Sequence, residues 1–282
     1  MSITAWRRSL ADALTSSGAA AQREANWLLR TALDLSHAEL LARADEVPNP
    51  ALQEVLGHFR AAAADGMPLA YIVGTEPFMD FELAVTPATL IPRADTEVLV
   101  EQALARLGTP AQGPIADLGT GSGAVAIALA RQRPDATVVA TDVSRDALAV
   151  ARKNAERLSA HTIQWRVGDW FDALPQEQRF AVIASNPPYV ESTFPELHGA
   201  LRHEPMSALA AGPDGLDALK RIARDAADWL LPGGWLVLEH GHEQGEAVSG
   251  ILSARAFRHI KTYHDRGGRP RVTEAQTPLS QT

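Results

Sequence analysis

The chain has 282 residues, of which 46% are hydrophobic and 21% are charged, and its formal net charge is −8. This length accommodates two domains, and the composition is typical of a soluble globular protein. Because the chain has no cysteine, disulfides and thiolate metal sites are excluded. A cysteine-free chain fits a reducing compartment, so we expect a cytoplasmic location.

The charge balance argues against a nucleic-acid-binding protein, because acidic residues outnumber basic ones by 34 to 26. One local group of basic residues is interpreted as a solvated C-terminal hairpin. This group comprises Arg255, Arg258, Lys261, Arg266, Arg269 and Arg271. No apolar run, such as Ala124–Ala130, is long enough to cross a bilayer, and the N-terminus lacks the pattern of a signal peptide. We therefore expect no membrane partner.

Residues 1–67 predict a small helical domain. Apolar residues recur at helical spacing from Trp6 to Leu14 and from Ala25 to Leu33. Ser36 and Glu39 have the spacing of a capping box at the start of a further helix. No catalytic constellation is visible in this region.

Residues 68–96 predict a β-hairpin linker between two domains. Tyr71–Gly74 and Phe81–Val85 have the composition of short strands, and prolines punctuate the segment. A helix is predicted next, over Thr96–Leu107.

Residues 97–282 predict an α/β domain with a doubly wound, mostly parallel sheet, because short strands alternate with helices. The predicted strands are Ile115–Leu118, Thr137–Thr141, Ile163–Val167, Phe180–Ser185 and Trp235–Glu239. The predicted helices are Ala124–Arg131, Arg145–Leu158 and Gly215–Leu230. An antiparallel hairpin at the sheet edge is predicted over Phe257–Tyr263 and Arg271–Gln276.

A glycine-rich turn ends the first of these strands and opens a helix. Its residues are Asp117, Leu118, Gly119, Thr120, Gly121, Ser122 and Gly123. Glycines at alternate positions permit a tight turn and a close approach of the backbone to a ligand, which in open α/β sheets lies beyond the carboxyl ends of the strands. The spacing Gly119-x-Gly121-x-x-Ala124 also fits the dinucleotide pattern, so this turn alone leaves a nicotinamide cofactor open.

The next two strand ends carry residues suited to a nucleoside. Asp142 follows the turn by about 20 residues, where an acid accepts hydrogen bonds from ribose hydroxyls. Its alternative role is to cap the helix that begins near Ser144. Asp169 and Trp170 end the third strand and suit an adenine, with a carboxylate for the amine and a ring for stacking, although Trp170 could instead belong to the core.

The most specific signal follows the fourth strand, in the sequence Asn186-Pro187-Pro188-Tyr189. The prolines fix the backbone and remove two N–H donors. The groups that remain are acceptors, namely the Asn186 side-chain oxygen and the carbonyls of Asn186 and Pro187. Such a site receives an NH₂ group, and the tyrosine adds a flat face over a planar amide or base. A purely structural Asn-Pro-Pro turn is the alternative.

The acceptors of this sequence suit methyl transfer to nitrogen. An amide nitrogen is a weak nucleophile, because its lone pair is delocalised into the carbonyl. Acceptors for both of its N–H groups raise its electron density and aim it, and the sulfonium of S-adenosylmethionine brings its own activated leaving group. We expect no metal, since no ligand spacing is evident and His240-Gly241-His242 fits a strand-end loop.

Together these residues resemble the release-factor glutamine methyltransferases, bacterial enzymes that methylate the glutamine side-chain amide in the Gly-Gly-Gln motif of peptide chain release factors. The resemblance covers most of the chain, and the linker and the Asn-Pro-Pro-Tyr sequence together are its most specific part. The matching segments are Pro68–Gly74, Thr89–Glu97, Asp117–Gly123, Asp169-Trp170, Asn186–Tyr189, Leu238–Gly241 and Arg271–Thr273.

The resemblance implies a seven-stranded class I methyltransferase sheet, S-adenosylmethionine as cofactor, and a helical domain (1–67) that docks the release factor. The implied cofactor-binding residues are Asp117, Gly119, Thr120, Gly121, Ser122, Gly123, Asp142, Asp169, Trp170 and Asn186. The implied catalytic residues are Asn186, Pro187, Pro188 and Tyr189. We expect a monomer and assign no role at this point to Arg93, Arg202 or Glu204.

Other functions stay open on the residues alone. A sibling branch with the same acceptors methylates a glutamine of a ribosomal protein. The amine of adenine in nucleic acid fits the same acceptors, although the acidic balance disfavours it. A non-catalytic binding module and a nicotinamide oxidoreductase are the remaining alternatives, and the second lacks an acid or base for hydride transfer near the turn.

Overall fold

The computed structural model describes residues 1–109, 111–199 and 201–279. The chain divides into two compact units, Met1–Thr75 and Glu76–Thr282. This division lies inside the segment that the sequence predicts as a linker.

The first unit is helical. Its helices are α1 (Ile3–Ala13), α2 (Gly18–Leu33), α3 (His37–Ala42), α4 (Pro50–Ala64) and α5 (Leu69–Val73). The capping box is confirmed, because Glu39 N donates to Ser36 Oγ and Ser36 N donates to the Glu39 carboxylate, at 3.2 and 2.9 Å. The helices share one apolar core around the fully buried Leu10, Leu28 and Leu56.

The prediction of a strand over Tyr71–Gly74 is wrong, because this segment belongs to α5. Pro68 O accepts hydrogen bonds from Tyr71 N and Ile72 N, and Gly74 ends the helix in the left-handed conformation with φ of 85°. Leu69, Ile72 and Val73 pack against the apolar core of the first unit. Helical spacing places these three side chains on one face, and their burial outweighs the strand preference of the β-branched residues.

The second unit contains a two-stranded hairpin and a seven-stranded sheet. Its strands are β1 (Thr75–Phe78, which crosses the boundary), β2 (Phe81–Ala84), β3 (Ile115–Leu118), β4 (Val138–Asp142), β5 (Ile163–Val167), β6 (Phe180–Ser185), β7 (Leu230–Glu239), β8 (Arg258–His264) and β9 (Pro270–Gln276). Its α-helices are α6 (Thr96–Ala105), α7 (Ala124–Gln132), α8 (Arg145–Arg157), α9 (Asp217–Asp225) and α10 (Gly245–Ala254).

The strand order of the large sheet is β5-β4-β3-β6-β7-β9-β8, with five parallel strands and an antiparallel β8–β9 hairpin at one edge. The predicted doubly wound fold and its edge hairpin are confirmed. Two predicted boundaries are wrong. The predicted helix Gly215–Leu230 comprises α9 and a 3-10 turn over Ala226–Asp228, and β7 begins at Leu230, before the predicted Trp235. Leu230 pairs with Phe180 on the neighbouring strand β6, and this pairing extends β7 toward its N-terminus.

The register of the sheet brings four strand ends to one edge. Leu118 pairs with Thr141 on β4 and with Ser185 on β6, and Ser185 pairs with Leu238 on β7. The strand order reverses around β3, which is where open α/β sheets bind ligands beyond the carboxyl ends of their strands. The residues that follow the ends of β3, β4, β6 and β7 therefore lie close together at this edge.

Asn154 on α8 attaches the β1–β2 hairpin to the glycine-rich turn. Its Nδ2 donates to Ser122 O and Ala84 O, both at 2.9 Å, and its Oδ1 accepts from Ala84 N at 2.8 Å. The Asn154 side chain is fully buried, so it must find its hydrogen-bond partners within the protein.

Asn154→Ala is expected to lower the free energy of unfolding by about 3 kcal/mol, because it leaves buried backbone groups unpaired. Chemical denaturation monitored by circular dichroism measures this loss. Lys153→Ala, an exposed change on the same helix, is the matched control and should unfold at the wild-type midpoint. Equal midpoints for the two variants would contradict the anchoring role of Asn154.

Candidate active site

A cavity of about 240 Å³ lies at the carboxyl edge of the sheet. It is lined by the strand ends, by the start of α8, and by two loop segments, 88–90 and 205–208. Of the residues predicted for the site, the cavity wall includes Gly119, Gly121, Asp142, Asp169, Trp170, Asn186 and Pro188. The structure does not bring Asp117, Thr120, Ser122, Gly123, Pro187 or Tyr189 to this wall.

The glycine-rich turn leaves its backbone open to the cavity. Gly121 has a φ of 56°, and a Cβ added there would meet no atom within 4 Å. Gly121 N donates to Asp142 Oδ2 at 2.9 Å. A side chain at position 121 would have a strained backbone and would occupy cavity space. Glycine leaves this space free for a ligand that lies close to the backbone.

Asp117 supports the turn from beneath. Its buried Oδ2 accepts from Thr120 Oγ1 at 2.6 Å and from Ala126 N at 3.1 Å. Burial raises the pKa of the Asp117 carboxyl to about 7. The two hydrogen bonds limit this rise, because they stabilise the charged form. The structure therefore places Asp117 and Thr120 as supports of the turn. Their predicted contact with a cofactor stays a prediction.

Asp142, at the end of β4, is hydrogen bonded to the glycine-rich turn that follows β3. Beside its bond to Gly121, its Oδ1 accepts from Ser144 N at 2.8 Å. The α8 helix is capped by Ser144, whose Oγ accepts from Ala147 N at 3.1 Å, so helix capping does not require Asp142. Burial raises the pKa of Asp142, and its carboxylate retains lone pairs at the cavity wall.

Trp170 and Asp169 form the third strand end. A Cβ on Gly119 would lie 3.2 Å from Trp170 Cζ3, so the indole covers the turn closely. Trp170 also has a φ of 49°, a strained conformation of the kind found at functional sites. Asp169 Oδ2 accepts from Arg221 Nη1 at 2.6 Å, an ion pair that the sequence did not indicate. The Asp169 carboxylate keeps further lone pairs with which it could accept from an adenine amine.

Asn186 presents an acceptor without a partner. Its Nδ2 donates to Thr96 Oγ1 at 3.1 Å, whereas its Oδ1 is shielded from solvent and has no hydrogen-bond partner among the described residues. A buried polar atom is nearly always satisfied, so an unpaired one at a cavity wall indicates a ligand that supplies the missing donor. Asn186 Oδ1 is therefore free to act as the hydrogen-bond acceptor that the sequence predicts.

A buried carboxylate lies behind Asn186. Glu239 ends β7 with none of its surface exposed, and its Oε1 accepts from Tyr189 Oη at 3.3 Å. Desolvation raises the pKa of Glu239 to about 7, while hydrogen bonding from Thr96 and the charge of Arg271 oppose the rise. Desolvation and the neighbouring Glu239 charge also raise the pKa of Tyr189, which keeps its phenol protonated.

The interpretation of the C-terminal basic residues as a solvated hairpin is wrong for Arg271. This residue is only 8% exposed. Its Nη2 lies 3.1 Å from Asp95 and 3.4 Å from Asp265. A buried guanidinium needs such partners, so Arg271 belongs to the charged layer behind the site.

Glu204 ties the two loop segments of the cavity wall together. Its buried Oε2 accepts from Ile91 N at 3.1 Å, and its Oε1 is hydrogen bonded to Arg93 Nη2. These bonds hold Ile91 and Arg93, which follow segment 88–90, beside Glu204, which precedes segment 205–208. Glu204 and Arg93, to which the sequence gave no role, therefore shape the cavity.

Sequence reasoning also missed Thr96 and Glu239 as parts of the site. Glu239 had a usable signal, because it is an acid at the end of a strand next in line after Asn186. Thr96 had only its place in the matching segment Thr89–Glu97, because its separation from Asn186 is 90 residues.

His240 is engaged within the fold. Its Nδ1 donates to Gly241 O at 2.8 Å and its Nε2 lies 2.8 Å from Thr273 Oγ1. Within residues 1–109, 111–199 and 201–279, no group of three or more His, Asp or Glu side chains has the arrangement of a metal site. The same residues contain no helix long and apolar enough to span a membrane.

Comparisons with known proteins agree with the fold. The family model described as Methyltransferase small domain matches residues 94–212, and the model described as PrmC N-terminal domain matches residues 5–74. A methyltransferase structure from Pyrococcus furiosus shares the fold at a TM-score of 0.53 and 19% identity, covering 70% of this chain and 89% of that one. The class is thus defined: this chain is a class I methyltransferase that uses S-adenosylmethionine.

Curated relatives define the family within this class. The release factor glutamine methyltransferase of Xylella fastidiosa (strain Temecula1) is 46% identical over 90% of this chain and 93% of its own length. The protein of the same description from Coxiella burnetii is 39% identical over 98% of this chain and 99% of its own length. The chain belongs to the release factor glutamine methyltransferase family.

Proposed function

We propose that this enzyme transfers a methyl group from S-adenosylmethionine to the N5 side-chain amide of the glutamine in the Gly-Gly-Gln motif of peptide chain release factors. The reaction would modulate translation termination in the cytoplasm, with the enzyme acting as a monomer. The unpartnered Oδ1 of Asn186 at the cavity wall carries the proposal, because it can accept a hydrogen bond from the N–H of a primary amide. Relatives up to 47% identical are release factor glutamine methyltransferases, which supports the choice of substrate.

The residues of the cavity fit the cofactor. The open backbone at Gly119 and Gly121 would accommodate its closest approach, the Asp142 carboxylate would accept from its ribose hydroxyls, and Trp170 would cover its adenine. When bound, the cofactor supplies a sulfonium methyl group whose leaving group needs no protonation.

The protein's own contribution is to hold the glutamine amide. Asn186 Oδ1 would accept one N–H, and the carbonyl of Pro187, a residue outside the cavity wall, would accept the other. These two hydrogen bonds would raise the electron density on nitrogen and direct its lone pair along the line of displacement. Tyr189, held by its bond to Glu239, would support the amide plane from the side. No general base is required before methyl transfer, because the product loses its extra proton readily.

The helical first unit is proposed to dock the release factor. It contains no residue of the cavity wall, and the family model of the N-terminal domain covers residues 5–74. Its exposed apolar side chains include Leu41, Val47 and Val55, which suit contact with a protein better than with nucleic acid.

The purified enzyme should methylate a purified release factor when supplied with S-adenosylmethionine labelled in the methyl group. A release factor with Gln→Ala in its Gly-Gly-Gln motif is the matched control and should take up no label. A ribosomal protein preparation and plasmid DNA test the alternative substrates in parallel. Label entering either of these but not the release factor would refute the proposed substrate.

A further inference from the structure

The backbone that leaves the acceptor sequence, Asn186–Tyr189, is held by a side chain from the start of α10. Gln244 is the N-cap residue of this helix, and its Nε2 donates to Tyr189 O at 3.0 Å. Its Oε1 accepts from Gly241 N at 2.8 Å. One carboxamide therefore joins the end of the acceptor sequence to the backbone that follows β7.

The two partners of Gln244 determine the orientation of its carboxamide. Gly241 N can only donate a hydrogen bond, and Tyr189 O can only accept one. A carboxamide turned by 180° would place donor against donor and acceptor against acceptor. The side chain forms no hydrogen bond that caps α10, although Gln244 has the N-cap position. Its hydrogen bonds thus join two loops and do not stabilise the helix start.

Gly215 packs against the same carbonyl group. Its φ is 68°, and a Cβ built there would lie 2.3 Å from Tyr189 O. Only glycine allows the two backbones to approach this closely. Next along the chain, Val190 N donates to Leu209 O at 2.8 Å, and Val190 O accepts from Ala211 N at 2.9 Å. The chain is therefore held at two successive residues, 189 and 190.

The acceptor sequence depends on such contacts because of its prolines. Pro187 and Pro188 have no N–H, so neither can donate a hydrogen bond that holds this segment in place. The position of the segment therefore depends more on the residues at its two ends. At the first end, Ser185 pairs within the sheet. At the second end, the contacts of the Tyr189 carbonyl take this role.

We propose that Gln244 and Gly215 are positioning residues that hold the acceptor sequence, and with it the substrate nitrogen, in line with the methyl group of the cofactor. The inference rests on the proposed function for the identity of that nitrogen. Neither residue belongs to the cavity wall, so both act through the Tyr189 backbone. Their loss should slow methyl transfer and leave the affinity for the cofactor unchanged, because a small misplacement of the reacting atoms lowers the rate.

Gln244→Glu separates the two hydrogen bonds of the side chain. The introduced carboxylate keeps an acceptor for Gly241 N, but it would face Tyr189 O with a second acceptor. We expect kcat to fall at least about tenfold, while the Kd for S-adenosylmethionine stays within about twofold. A folded Gln244→Glu enzyme as fast as wild type would show that only the bond to Gly241 matters and would overturn the proposal.

Gln244→Met removes both hydrogen bonds without adding a charge, and it decides the question if Gln244→Glu does not fold. It should also lower kcat about tenfold at unchanged cofactor affinity. Glu246→Gln, an exposed change on the same helix, is the matched control and should keep the wild-type kcat. Thermal denaturation verifies that the variants are folded. An unchanged kcat in Gln244→Met, or a Kd that rises as much as kcat falls, would contradict the positioning role.

Gly215→Ala tests the second contact, because the added Cβ must displace the Tyr189 carbonyl. This variant should also lose at least about tenfold in kcat. In the Gly215→Ala/Gln244→Met double variant, the loss should be close to the larger single loss, because a displaced carbonyl has already lost its bond to Gln244. Multiplicative losses would show that the two residues act on different features and would overturn their shared role.

A measurement without substrate separates this inference from the proposed function. Tyr189-Val190 is the only tyrosine–valine pair in the chain, so protein labelled with ¹³C in the tyrosine carbonyls and ¹⁵N in valine gives one signal that correlates these two residues. The carbonyl signal should move upfield in Gln244→Met, because its oxygen loses a donor, and should stay in place in Glu246→Gln. An unmoved signal in Gln244→Met would overturn the positioning role, whereas a wild-type enzyme inactive on release factors would refute only the substrate.

Discussion

Asn186→Ala is expected to lower kcat by about 100- to 1000-fold, the range found when one preorganised hydrogen-bonding group is removed from an active site. Its Oδ1 is the unpaired acceptor at the cavity wall, so alanine leaves the substrate amide without the group that orients it. Single-turnover kinetics with a saturating release factor measure the chemical step. The Kd for S-adenosylmethionine, measured by calorimetry, should change by less than about threefold, because Asn186 forms only one part of the cavity wall.

Gln176→Ala is the matched control, since it removes an exposed carboxamide outside the cavity wall. The control should keep the wild-type kcat. A folded Asn186→Ala enzyme that methylates at the wild-type rate would show that Oδ1 does not hold the reacting amide.

Asp142→Ala is expected to weaken S-adenosylmethionine binding by about 10- to 150-fold, the equivalent of losing about 1.5–3 kcal/mol of hydrogen bonding to a charged group. Two effects combine in this variant. The ribose hydroxyls would lose their acceptor, and Gly121 N and Ser144 N would lose the partner that shapes the turn. At saturating cofactor, kcat should be close to that of wild type, because Asp142 does not contact the reacting nitrogen in the proposed arrangement.

Calorimetric titration with S-adenosylmethionine measures this loss directly. Asp228→Ala, which removes an exposed carboxylate away from the cavity, should bind the cofactor as wild type does. An Asp142→Ala enzyme with unchanged affinity and reduced kcat would instead place Asp142 at the chemical step and contradict its cofactor role.

The fold was largely predictable because its signals are local. Strands and helices alternate with distinct periodicities, and the glycine-rich turn follows directly from residues that tolerate positive φ. The exception was α5, where β-branched residues indicated a strand. Burial of Leu69, Ile72 and Val73 on one helical face decided otherwise, and burial depends on the rest of the first unit.

The site was predictable only in part. Asn186, Asp142 and Trp170 were identified because each lies at the carboxyl end of a strand or within three residues after it, at the ligand edge of the sheet. The position near a strand end could not show which acidic residue contacts a ligand and which supports the backbone. Asp117 is the last residue but one of β3 and Asp142 is the last residue of β4, yet Asp117 supports the turn from beneath and Asp142 lies at the cavity wall.

By itself, the sequence determined the alternation of strands and helices, the glycine-rich turn and the acceptors after β6, since these depend on backbone conformation and on neighbours along the chain. Only the tertiary structure decided that Thr96 and Glu239 lie behind Asn186, that Glu204 joins the loop segments, and that Arg271 is buried. The physical reason is that the pKa, the burial and the hydrogen-bond partners of a side chain are set by groups distant in sequence, which folding alone brings together.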